Sequence, residues 1–95
     1  MKGFKETLKK MEEIMLAKNH DYSGDVNPFR NFEMVEHLGI TSVENGILVR
    51  MTDKITRISN LLGKEGKVLD EKVEDTLLDL ANYAVILKCY MESKK

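Results

Sequence analysis

The strongest constraint on this chain lies between Asp70 and Met91. Leu77, Leu78, Leu80, Ala81, Ala84, Val85 and Leu87 cover most of a helical circumference there. A helix that is apolar nearly all round is a buried helix. Asp75 and Asp79 interrupt it, four residues apart and therefore on one face, and Asn82 and Tyr83 continue that face one turn on. A buried carboxylate without a partner is strongly unfavourable or shifts its pKa. The fold must bring a cation to Asp75 and Asp79, and so a second polar segment against this helix.

The segment that answers this description precedes it. Thr41-Ser42-Val43-Glu44 has the pattern of a capping box with Thr41 as N-cap, and the apolar spacing behind it predicts a helix to about Leu62, stopped by Gly63. Ile47, Met51, Ile55, Ile58 and Leu62 form its apolar stripe; Arg50, Asp53, Lys54 and Arg57 form a polar one. The two polar stripes are expected to face each other, with both aspartates largely buried. Two chemistries fit. The basic side chains can neutralise Asp75 and Asp79 as an ion-pair network, although buried ion pairs are rarely a net gain in stability. Alternatively Asp53, Asp75 and Asp79 hold Mg²⁺, a hard cation that takes carboxylate oxygens and keeps other positions for water and phosphate. Arg50, Lys54 and Arg57 would then contact the phosphates of a ligand.

The remaining sequence predicts an all-α bundle of three main helices, a short helix and a long polar loop. Phe4, Leu8, Met11 and Met15 give an amphipathic helix over 4–18, and Phe32 to Leu38 a short one ending at Gly39. Asp70 is placed to cap the last helix, over 71–92, antiparallel to the one before it. Ninety-five residues with 42% apolar content suit one small domain, which gains from burying more surface as a homo-oligomer. Fifteen basic against sixteen acidic side chains leave no basic excess for long nucleic acid. No apolar run is long enough for a membrane span, and a single cysteine, Cys89, with no signal-peptide pattern fits the cytoplasm.

The loop over residues 19–31 is the second place where chemistry is expected. From Lys18 to Phe32 the chain gathers His20, Asp21, Tyr22, Asn27, Phe29, Arg30 and Asn31, and Asn27-Pro28 breaks regular structure. Tyr22, Phe29 and Phe32 are half of its six aromatic residues. Rings beside amides and charges are what a nucleobase needs; equally, Phe29 and Phe32 can pin the loop to the core. Lys18, Asp21, Tyr22, Phe29, Arg30 and Asn31 are therefore candidate ligand contacts, with Asn82 and Tyr83 from the last helix. A lone His20 and a lone Cys89 on an apolar helix make neither a zinc site nor a nucleophile pair. Glycine-rich dinucleotide and P-loop patterns are missing from the sequence.

Three segments taken together resemble a known family: Lys18-Asn19-His20-Asp21-Tyr22 with Asn27-Pro28-Phe29-Arg30-Asn31-Phe32, then Arg50-Met51-Thr52-Asp53-Lys54-Ile55-Thr56-Arg57, then Glu74-Asp75-Thr76-Leu77-Leu78-Asp79-Leu80-Ala81-Asn82-Tyr83-Ala84. They are similar to the first nucleotide-modification-associated domain family of phages and prophages, over nearly the whole chain. The resemblance implies a phage-type protein of the host cytoplasm that handles a small nucleotide. The last segment also looks like the final motif helix of MazG-type all-α nucleotide pyrophosphohydrolases, which bind Mg²⁺ and release pyrophosphate from nucleoside triphosphates. By that resemblance Asp79 matches the motif's final aspartate, and Asn82 or Tyr83 the polar residue one turn later. The preceding acid is Asp75, four residues back rather than three, and the helix before offers Arg50 and Asp53 instead of two glutamates; Glu33-x-x-Glu36 has that spacing but lies far upstream. The resemblance thus implies either a Mg²⁺-dependent nucleotide pyrophosphohydrolase, with Asp53, Asp75 and Asp79 as catalytic ligands, or a degenerate site that sequesters a nucleotide as a sponge.

Overall fold

The computed structural model describes residues 1–23, 27–65 and 69–95, with the backbone alone over 19–23 and at residue 65. Four helices and no strand are found among them: α1 (Phe4–Ser23), α2 (Arg30–His37), α3 (Val43–Glu65) and α4 (Glu71–Ser93). This is the small all-α bundle that the periodicity predicts.

Helix α4 is the central element. It packs most extensively on α3 and also on α1, while α2 lies against the start of α3 and touches α1. The α3–α4 pair is antiparallel, because Val43 and Ile47 near the start of α3 meet Tyr90 near the end of α4. Further along, Lys54 meets Asp79. Val43, Ile47 and Tyr90 form the buried cluster, with Phe29, Phe32, Met51, Tyr83, Ile86 and Leu87 packed against it. Val73 and Leu78 are buried elsewhere on α4. Thr76 is also buried; its hydroxyl donates back to the Lys72 carbonyl at 2.7 Å and so leaves no orphan donor. None of the described helices is long and apolar enough to cross a membrane.

Helix ends follow local chemistry. Asp70 caps α4 as expected: in extended backbone, its Oδ1 accepts the Val73 N–H at 2.9 Å. Gly39 ends α2 at φ +73°, with its own N–H donating to the Glu36 carbonyl and the Ile40 N–H to that of Val35. That pair of hydrogen bonds needs a residue in left-handed backbone at Gly39, a conformation glycine adopts without strain.

Four boundary expectations are corrected. The cap of α3 is Ser42, whose Oγ accepts the Asn45 N–H at 3.1 Å, one residue later than the Thr41 box. Helix α3 continues through Gly63 to Glu65, since a glycine with ordinary helical φ weakens a helix without ending it. Helix α1 runs on to Ser23, into the segment expected to be loop, and α2 begins at Arg30. Phe4, Leu8 and Ile55, expected on core stripes, are 53%, 47% and 55% exposed.

Candidate functional site

Two grooves open on one side of the bundle and join at Arg50 and Tyr83, which line both. The first, about 470 Å³, lies between α1, α2 and α4 and is walled by Met15, Phe29, Phe32, Tyr83 and Ile86, with Lys18, Asn31, Arg50, Asp79 and Asn82 as its polar groups. The second, about 640 Å³, follows α3 and is lined by Asp53, Lys54, Arg57, Asn60 and Lys64. Together they present five cationic side chains, Lys18, Arg50, Lys54, Arg57 and Lys64, against two carboxylates, Asp53 and Asp79. On a chain of net charge −1 this is a local positive excess.

The aromatic wall is set by the entry to α2. Asn27 Oδ1 accepts the Phe29 N–H at 3.0 Å, and its Nδ2 donates to Glu33 Oε1 at 2.6 Å. This side-chain turn delivers Phe29 edge-on to Tyr90, with ring centroids 5.5 Å apart. One turn later Phe32 meets Tyr83 edge-on at 6.3 Å. The Arg50 guanidinium stacks over the Phe32 ring, 4.7 Å from its centre. Phe29 and Phe32 therefore pin this segment to the core and line the groove at once.

Asp79 is the electrostatic centre. Lys54 on α3 donates to its Oδ2 at 2.9 Å, and Lys18 on α1 donates to its Oδ1 at 3.0 Å. One carboxylate thus ties three helices together. Partial burial pushes its pKa up, but the hydrogen bonds from Lys54 and Lys18 outweigh this and hold it below the usual carboxylate value. The expected approach of the two polar stripes holds for Asp79 and Lys54. It does not hold for Asp75, which is exposed on α4. One turn nearer the helix start, Asp75 adds to the acidic field around Lys10, whose ammonium bonds Glu74 at 2.7 Å.

The metal triad is not assembled. Among the described residues no three His, Cys, Asp or Glu side chains converge as a metal centre requires. Asp53 is exposed on α3, Asp75 is exposed elsewhere on α4, and both oxygens of Asp79 already accept from ammonium groups.

Of the other candidates, Lys18, Phe29, Asn31, Arg50, Asn82 and Tyr83 line the first groove, and Lys54 and Arg57 the second. Asn82 is buried and its Nδ2 donates to the Met11 carbonyl at 3.2 Å, so it also clamps α1 onto α4. Arg30 is exposed at the start of α2 and lines neither groove. Asp21 and Tyr22 fall on the last turn of α1, and their side chains lie outside the described residues. The candidates omit Asn60 and Lys64, although Asp53, Arg57, Asn60 and Lys64 recur at steps of four, three and four, a spacing that marks one helix face. Among the described residues, no carboxylate lies within ion-pair distance of Arg50 or Arg57.

No curated protein and no solved structure matches the chain. One family model does, over residues 18–89, a span that holds every residue of both grooves except Met15. By that match the chain belongs to the family described as nucleotide modification associated domain 1.

Proposed function

We propose that the joined grooves bind a free nucleotide and hold it without metal-assisted hydrolysis. The observation that carries this reading is the sharing of Arg50 and Tyr83 between an aromatic groove and a basic one. A nucleotide has the same two-part chemistry. Its base fits against Phe29, Phe32 and Tyr83, where stacking on aromatic rings contributes about 1–3 kcal/mol per base. Its phosphates fit along α3, where Arg57 and Arg50 offer planar donors matched to phosphate oxygens. Lys54 is held beside them by Asp79. The first groove, about 470 Å³, falls within the roughly 300–1,000 Å³ typical of small-molecule sites. Membership of a family described as nucleotide modification associated supports the same ligand class.

The competing reading, a Mg²⁺-dependent pyrophosphohydrolase, needs several carboxylates on one ion. Asp79 acts instead as the acceptor for two lysines, which supports capture over cleavage. Calorimetry with mono-, di-, tri- and cyclic nucleotides, each with and without EDTA, tests the proposal. The expected result is binding indifferent to EDTA, weakened by Arg57→Ala, with no pyrophosphate released. EDTA-sensitive pyrophosphate release makes the protein a hydrolase. No binding across the panel removes both readings.

A further inference from the structure

The side of the α3–α4 pair opposite the grooves carries two rows that are apolar except at Thr52, Ser59 and Lys88. On α3, Leu48, Thr52, Ile55, Ser59 and Leu62 recur at steps of four, three, four and three; on α4, Leu77, Ala81, Ala84, Lys88 and Met91 do the same. This spacing keeps a row on one side of a helix over its whole length and is the spacing of helices that pack along a common seam. Leu48, Ile55, Leu77 and Met91 are 46%, 55%, 43% and 54% exposed.

Helical geometry places both rows on one face. The α3 row stands about a quarter-turn from Ile47 and Lys54, which meet α4, and nearly opposite Arg50, Asp53 and Arg57, which line the grooves. The α4 row stands about a third of a turn from Tyr83 and Tyr90, which meet the start of α3 and its neighbours, and nearly opposite Asp79 and Ile86. Ala81 and Ala84 at the middle of the α4 row let another helix approach closely.

The exposed area of the whole chain leaves enough surface for a second copy to cover. A compact monomer of 10.9 kDa exposes about 5,600 Å². This chain exposes 7193 Å². The excess, roughly 1,600 Å², is about twice what each partner contributes to a standard protein interface. The Cα radius of gyration, 14.6 Å, likewise exceeds the roughly 12 Å of a compact chain this long. Two parallel-sided rows on an antiparallel helix pair are self-complementary under a two-fold axis. We infer that the Leu48–Ile55–Leu62 row of α3 and the Leu77–Ala84–Met91 row of α4 form an isologous interface with a second copy of this chain, four helices packing at the centre and the grooves facing outwards.

Light scattering of the full chain at micromolar concentration should give twice 10.9 kDa. A monomer under those conditions overturns the inference. The face is mapped by single thiols in a Cys89→Ser background. Ser59→Cys on the α3 row should react with maleimide roughly tenfold or more slowly than Glu12→Cys on α1, because access limits the reaction. Equal rates in a protein of doubled mass place the interface elsewhere and also overturn it. Ile55→Glu should return the mass to that of one chain, and persistence of the doubled mass counts against the inference. Neither measurement involves a nucleotide, so the interface can fail while the binding proposal stands, and the reverse.

Discussion

Lys54 on α3 reaches Asp79 on α4 at 2.9 Å, and the same carboxylate takes Lys18 of α1 on its other oxygen. A carboxylate that joins three helices is a structural device as well as part of a groove. Asp79→Asn keeps the shape but removes the charge that both ammoniums share. We expect a loss of about 1.5–3 kcal/mol, the range for hydrogen bonds to charged groups, with the lower end favoured because both lysines are partly solvated. Urea denaturation of the two proteins at neutral pH measures it.

The same pair makes stability depend on acid. The Asp79 pKa lies below its ordinary 3.8 in the folded chain, where the lysine hydrogen bonds outweigh burial. A carboxyl group lowered on folding binds fewer protons in the native state, so its contribution is complete above the unfolded value and is lost as pH falls through the folded one. The difference in melting temperature between wild type and Asp79→Asn should therefore be constant from pH 7 to about 5 and shrink below about 4. A difference that grows on acidification contradicts the Lys54–Asp79–Lys18 arrangement.

Gly46 on α3 sits against Val35 of α2. A Cβ added there would stand 2.9 Å from Val35 Cγ1. Alanine gains about 1 kcal/mol of helix propensity over glycine. Val35 is β-branched and lies within α2, so its side chain has little freedom to turn away. The clash should win, leaving Gly46→Ala less stable by about 1 kcal/mol net. Because α2 carries Asn31 and Phe32, the variant should also bind nucleotide more weakly. Thermal melts and calorimetry on one sample check both halves.

Asp70→Ala removes the Oδ1 acceptor for the Val73 N–H. Loss of such a cap typically costs about 0.5–2 kcal/mol. Asp70 is legible in the sequence because a capping aspartate stands directly before an acidic first turn, and nothing nearby competes. The start of α3 is not: Thr41 and Ser42 are both good caps, and which hydroxyl is used depends on how α2 delivers the chain. The outward placement of Phe4, Leu8 and Ile55 follows from α1 and α3 meeting α4 along other faces. Within the site, Arg50, Lys54, Arg57, Asp79 and Tyr83 are readable as two polar stripes on helices that must pack. What spacing alone does not settle is the partner of each acid. Asp75 and Asp79 share a helix face, yet one turn separates an exposed group from one enclosed by α1, α3 and α4.

Asp53 separates the two readings of the grooves most sharply. It is exposed and lies among Arg57, Lys54 and Lys64 without belonging to a converged group of acids. If the groove takes phosphates directly, Asp53 only repels them. Removing one partly solvated like charge is worth about 0.2–1 kcal/mol, so Asp53→Ala should bind a triphosphate nucleotide up to about fivefold more tightly. Raised salt should shrink the gain, because screening weakens the repulsion. If Asp53 instead holds a divalent ion that bridges to the phosphates, the same substitution should abolish binding. Parallel titrations of wild type and Asp53→Ala with and without EDTA distinguish the outcomes by the sign of the change, and weaker binding by the variant would remove the direct-phosphate reading of this groove.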